Sequence, residues 1–122
     1  MKTILLIEDD PFLSRMYTKI FSLHDFQIEA AADGEAGLAA AKSLKPDAIL
    51  LDIMMPKLNG MEVLGALKKD DTTKNIPVIM LTNLSDQQQR DAALAAGALK
   101  YLVKSEFDPD ETVDVVKETL GK

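Results

Sequence analysis

The chain is predicted to be a single α/β domain, a five-stranded parallel sheet with helices on both faces. Three observations predict it. Five short apolar runs alternate with five segments of helical periodicity, the pattern of successive βα units. The length of 122 residues suits one domain, which buries roughly two-thirds of its unfolded surface and needs no cross-links. The apolar runs also end in polar groups: acids, a hydroxyl and an ammonium. Right-handed crossovers place all strand C-termini on one edge, where open α/β sheets bind ligands.

The first run, over residues 2–8, carries Ile4-Leu5-Leu6-Ile7 into Glu8-Asp9-Asp10. Asp10-Pro11 pairs an N-cap acid with Pro at the first helical position, which predicts a helix over 11–23. Phe12, Met16 and Ile20 recur at i, i+4 and i+8 and are expected to face the sheet. A second strand over 26–32 precedes Asp33, the expected cap of a helix over 34–44. The third strand, over 47–52, delivers Asp52 to its C-terminal end after Ala48-Ile49-Leu50-Leu51. A loop punctuated by Pro56 and Asn59-Gly60 leads to a helix over 60–69. Residues 68–75 form the most polar loop, a solvated connection.

The fourth strand, over 76–82, runs through Val78-Ile79-Met80-Leu81 to Thr82. Ser85 and Gln88 have capping-box spacing for a helix over 86–96, with Gly97 as its stop. The fifth strand, over 99–103, ends at Lys104. Asp108-Pro109 starts a helix over 109–120, with Val113, Val116 and Leu120 toward the sheet. There is no internal repeat, low-complexity tract or linker.

Composition excludes several classes. Without Cys there is no disulfide framework, thiolate nucleophile or Cys-based zinc site. A net charge of -6 opposes a general nucleic-acid surface. No apolar run approaches the ~20 residues that span a bilayer. The N-terminus enters a strand directly, without the pattern of a secretory signal. A soluble cytoplasmic protein is the expectation.

Glu8, Asp9 and Asp52 converge if strands 1 and 3 are neighbours. Such carboxylates repel, which raises at least one pKa. Their oxygens suit Mg²⁺, which takes few protein carboxylates and keeps several waters. Asp52 could then serve as a nucleophile, with the metal and Lys104 neutralising a phosphoryl group and Thr82 donating a hydrogen bond to it. Singly, each residue has an ordinary reading as a cap, turn or solvated residue. Their conjunction at four strand ends carries the signal. His24, the only His, is expected to be an exposed helix-end residue, and Met54, Met55, Met61 and Met80 to serve packing.

These segments together resemble the receiver domain of two-component response regulators over essentially the whole chain. The matching residues are Ile7-Glu8-Asp9-Asp10, Asp52 with Met55-Pro56-Lys57-Leu58-Asn59-Gly60, Thr82, and Tyr101-Leu102-Val103-Lys104. The resemblance implies a flavodoxin-like, doubly wound sheet of order 2-1-3-4-5. It implies that Asp52 accepts a phosphoryl group from a phosphohistidine on a sensor histidine kinase or a histidine phosphotransfer protein. Mg²⁺ would be held by Asp9 directly, by Glu8 through water, by Asp52 and by the Met54 backbone carbonyl. Thr82 and Lys104 would contact the phosphoryl oxygens. Thr82 and Tyr101 would form a switch pair, the hydroxyl moving to the phosphoryl group as the ring packs inward.

The sequence departs from the family pattern after Lys104, where Ser105 replaces the usual Pro with its cis bond. A non-proline cis bond costs ~3 kcal/mol, so the 104–105 bond is expected to be trans. Asn83 stands where a small residue is usual. Met54 and Leu84, two positions after Asp52 and Thr82, flank the path of attacking water in the resembling fold. Both are apolar, which predicts slow self-dephosphorylation.

The chain ends at helix 5, so it is expected to resemble a stand-alone, chemotaxis-regulator-like receiver. It would signal to an output protein through helix 4, strand 5 and helix 5, around Arg90, Lys100 and Tyr101. No direct nucleic-acid or membrane contact is expected. The expected state is a monomer, with phosphorylation-driven dimerisation left open. Two other readings compete. An Asp-nucleophile phosphatase would carry a second Asp where Met54 stands, so an enzyme acting on outside substrates is disfavoured. A receiver-like module that binds partners without phosphorylation is disfavoured by the full acid, Thr and Lys set.

Overall fold

A computed structural model describes residues 1–55 and 58–121. Ten elements alternate along the chain: β1 (Lys2–Ile7), α1 (Pro11–Leu23), β2 (Phe26–Ala31), α2 (Gly34–Leu44), β3 (Ala48–Leu51), α3 (Gly60–Lys69), β4 (Val78–Thr82), α4 (Gln87–Ala95), β5 (Lys100–Val103) and α5 (Pro109–Leu120). All strands are parallel, in the order β2-β1-β3-β4-β5. Both the flavodoxin-like order and the ten expected elements are therefore present. Pro56 and Lys57, part of the loop read from the sequence, lie outside the described residues.

The strands are continuous apolar runs because both sheet faces are covered. Alternation sorts their side chains into two cores. Leu5, Ile7, Ile49, Leu51, Val78, Met80 and Val103 pack with α2, α3 and α4. Ile4, Leu6, Leu50, Ile79, Leu81 and Leu102 pack with Tyr17 and Phe21 of α1 and Val113 and Val116 of α5.

The helix starts follow their caps. The Asp10 carboxylate accepts from the Phe12 and Leu13 amides, and Asp33 from Ala36. Asp108 and Glu111 form a reciprocal capping box. Asn59 and Glu62 form another at α3, which the sequence reading took only as turn punctuation. The start of α4 needs correction: Asp86, not Ser85, is the cap, accepting from the Gln88 amide at 2.9 Å. A carboxylate there also favours the positive end of the helix dipole, which a Ser hydroxyl does not. Gly97, at φ +113°, follows the end of α4 as expected.

The face of α1 needs a second correction. Phe12 is 66% exposed, whereas Tyr17 and Phe21 are fully buried. The stripe facing the sheet comprises Leu13, Met16, Tyr17, Ile20 and Phe21. Phe12 stands at its rim, in the first turn and beyond the strand ends. At the other end of α1, His24 caps the helix, and its Nε2 lies 3.3 Å from Asp110 Oδ1. No described helix is long and apolar enough to cross a membrane.

Phe21→Ala is expected to lower unfolding free energy by about 3–5 kcal/mol, and Phe12→Ala by under ~0.5 kcal/mol. Urea unfolding of both variants would check the assignment of faces; equal losses would contradict it.

Candidate functional site

The sheet alternation continues into the residues that follow the strands. The Glu8 amide donates to Ala31 O at 3.0 Å, the Asp52 amide to Ile7 O at 3.1 Å and the Lys104 amide to Thr82 O at 2.7 Å. Each ladder is thus extended by one rung. Two residues beyond Leu6, Leu50 and Leu102, this puts Glu8, Asp52 and Lys104 on the face covered by α1 and α5. Lys104 Nζ lies 2.7 Å from Glu8 Oε1 and 3.6 Å from Asp52 Oδ2. Asp9 is exposed beside them, and carboxylate oxygens of Glu8, Asp9 and Asp52 all lie within 4.8 Å of one another.

Two backbone amides hold the buried carboxylates. The Asp10 amide donates to Glu8 Oε2 at 3.2 Å, and the Met54 amide to Asp52 Oδ1 at 3.3 Å. The turn carrying Met54 is pinned by α3, where the Gly60 amide donates to Ile53 O at 2.9 Å. A Cβ on Gly60 would meet the Asp52 carbonyl oxygen, so only glycine lets the α3 start approach this closely. Sequence reasoning saw Gly60 as a turn signal and missed this contact, which depends on tertiary placement.

Burial pushes the Asp52 carboxyl up to about 6; Lys104 opposes the shift, while the charge and hydrogen bonding of Glu8 add to it. One ammonium therefore does not offset two buried acids. The donor set fits a hard divalent cation: all oxygen, closely grouped and carrying excess negative charge.

Thr82 and Tyr101 lie on the opposite sheet face from Lys104. Thr82 is fully buried, and its Oγ1 accepts from the Leu84 amide at 3.2 Å. The Tyr101 hydroxyl donates to the Leu84 carbonyl at 2.8 Å, and its ring is already inside the core. Burial raises its phenol pKa, with Asp86 adding and Arg90 opposing. Among the described residues, the Thr82 hydroxyl makes no bond to the acids; the Lys104 amide connects its backbone to them. The 104–105 bond is trans, as expected.

The family model of the response regulator receiver domain matches residues 4–117.

The chain belongs to the response regulator receiver domain family.

Relatives agree with the receiver assignment. The "DNA-binding dual master transcriptional regulator RpaA" of Synechocystis is 38% identical over all of this chain and 50% of its own length. The "DNA-binding response regulator MtrA" of Mycolicibacterium smegmatis is 36% identical over 98% of this chain and 50% of its own length. The chain thus spans about half the length of these curated relatives. The solved chemotaxis protein CheY4 of Vibrio cholerae superposes with a TM-score of 0.90, at 28% identity, covering 97% of this chain and 98% of that one. The receiver is a module of two-component signalling, in which an Asp is expected to accept a phosphoryl group.

Of the predicted site residues, the receiver brings Glu8, Asp9, Asp52 and Lys104 into one cluster, with the Met54 amide on Asp52. Thr82 and Tyr101 meet at Leu84 instead. The raised Asp52 pKa gives the metal-free protein a signed pH response. The folded state favours the protonated carboxyl, so this stabilisation is complete below pH ~4 and is lost as pH rises through about 6. Asp52→Asn is expected to be more stable than wild type by about 1–3 kcal/mol at pH 7 in chelator, with the difference closing toward pH 4. Thermal melts at both pH values would check it; a variant less stable than wild type at pH 7 would count against the strained cluster.

Proposed function

We propose that Asp52 of this receiver accepts a phosphoryl group from a phosphohistidine on a sensor histidine kinase or histidine phosphotransfer protein. The observation that carries this reading is the Glu8-Asp9-Asp52 cluster with Lys104 at the C-terminal sheet edge. One Asp52 oxygen is occupied by the Met54 amide, which leaves the other, facing Lys104, to attack phosphorus. The O–P bond forms as the P–N bond to the donor imidazole breaks. Lys104 neutralises the incoming phosphoryl oxygens, and Thr82 donates to one of them after releasing the Leu84 amide. Mg²⁺, held by Glu8, Asp9, Asp52 and the Met54 carbonyl, would supply further neutralisation of phosphoryl charge. The role is that of a signalling receiver that assists its own phosphorylation, with no outside substrate.

The Leu84 peptide links the two switch residues. Its N–H is held by Thr82 and its carbonyl by Tyr101. Movement of the Thr82 hydroxyl toward a phosphoryl group frees that N–H and shifts the populations of the α4–β5–α5 surface. A groove there of about 460 Å³ is lined by Arg90, Leu94, Leu99, Lys100, Tyr101 and Phe107, among others. The proposed reader is a protein. The relatives' names say DNA-binding, but this chain corresponds to half their length and its -6 charge opposes phosphate-backbone contact.

Incubation with acetyl phosphate and Mg²⁺ is expected to add one phosphoryl mass to wild type, none to Asp52→Asn, and none after chelation. Intact-mass spectrometry reads all three. No addition to wild type from this donor or from phosphorylated kinases would favour a phosphorylation-independent binding module.

Met54 is 58% exposed and Leu84 is partly buried against the core; each is apolar and stands two residues beyond a strand-end site residue, Asp52 or Thr82. Neither orients a nucleophilic water. Met54→Asn with Leu84→Glu is expected to speed loss of the phosphoryl group by about tenfold, ~1.4 kcal/mol in the barrier. The decay of the phosphorylated mass with time measures it, and an unchanged half-life would reject the idea.

A further inference from the structure

The turn from β2 into α2 touches both acid-bearing segments. Ala31, the last residue of β2, accepts the Glu8 amide on its carbonyl at 3.0 Å. Gly34, the first residue of α2, is buried against the segment that follows Asp52. A Cβ there would lie 2.6 Å from the Leu58 carbonyl oxygen, 2.8 Å from Val63 Cγ2 and 3.0 Å from Leu58 Cβ. The φ of Gly34 is not in the left-handed region, so space excludes a side chain and backbone conformation does not. Helix propensity alone would favour Ala at this position.

Leu58 is two residues from Gly60, and the segment between them is stiffened by the Asn59–Glu62 capping box. Gly60 in turn rests on the Asp52 carbonyl and donates its amide to Ile53 O at 2.9 Å. The residue after Ile53, Met54, holds Asp52 Oδ1 with its own amide at 3.3 Å. Contacts among described residues thus run from Gly34 through Leu58 and Gly60 to the Asp52 carboxylate. A close-packed interior passes a displacement along such a path. We propose that Gly34 is a positioning residue of the phosphoryl-acceptor site, its missing side chain setting where the turn from Asp52 to Met54 sits. The inference rests on the reading of Asp52 as the phosphoacceptor and of that turn as a holder of Mg²⁺.

Gly34→Ala is expected to weaken affinity for Mg²⁺ about tenfold, as loss of an outer support of metal ligands does, and affinity for beryllium fluoride, a phosphoryl mimic, by a similar factor. Calorimetry well below the melting temperature reads both. Gly65→Ala, on α3 with open space where its Cβ would stand, is expected to leave both within about twofold of wild type. Adding Val63→Ala to Gly34→Ala removes the contact with Cγ2 and keeps that with the Leu58 carbonyl, so the losses are expected to persist. Restored affinity in that double variant assigns the effect to core packing and overturns the inference, as does a Gly34→Ala protein with a lowered melting temperature and unaltered affinities. Wild type supplies a reading that needs no folded variant: the Gly34 amide resonance is expected to shift as Mg²⁺ and then beryllium fluoride bind, and a silent Gly34 overturns the inference. Wild type that binds Mg²⁺ but takes up neither acetyl-phosphate phosphorus nor beryllium fluoride overturns the phosphoacceptor reading and leaves the Mg²⁺ comparison to decide the role of Gly34.

Discussion

One cation sets the electrostatics of the sheet edge. Lys104 faces two buried carboxylates, at 2.7 Å from Glu8 and 3.6 Å from Asp52, and cannot neutralise both. Removing one partner from such a buried arrangement is costly, because the charges left behind are desolvated. The lysine is in turn held in register by its own amide on the Thr82 carbonyl. The β4–β5 pairing therefore governs the charge balance two strands away, and the surplus negative charge makes the edge favour incoming cations.

The two faces of the sheet divide the work. Glu8, Asp52 and Lys104 follow the alternation that buries Leu6, Leu50 and Leu102 against α1 and α5. Tyr101 follows the alternation that buries Met80 and Val103 against the other helices. Charge is handled on one face and the ring of the switch tyrosine, Tyr101, on the other. The connection between them is short: Thr82 touches Lys104 through its carbonyl and Leu84 through its hydroxyl. The carbonyl bond belongs to the sheet ladder and stays fixed, whereas the Thr82 hydroxyl at the end of β4 and the loop beyond it are free to rearrange.

Much of this was legible in the sequence, for physical reasons. Strands buried on both faces are uninterrupted apolar runs, and an acid or lysine at the end of such a run stands out. Neighbour order is another matter. Periodicity does not encode which strands pair, and the order came only with the family resemblance. Phe12 misled because a four-residue repeat was anchored one residue too early; Leu13, Tyr17 and Phe21 make the better stripe. The Asn59-x-x-Glu62 box was readable but was taken as a turn. The Gly60 approach to Asp52 and the pairing of Lys104 with Glu8 depend on contacts between distant segments. No local pattern announces them.

The attachment of α4 differs from that of its neighbours. Among its described residues only Ala93 is buried, whereas α3 sinks Val63, Leu64 and Leu67 into the core. An alanine offers little apolar area, so this helix is the compliant member of an otherwise stiff assembly. A stiff body with one loosely seated bar converts a small local force into a large displacement of that bar. The seating of α4 acts as a mechanical gain setting: a bulkier side chain at position 93 would change the amplitude of the response while leaving the chemistry at the far edge untouched.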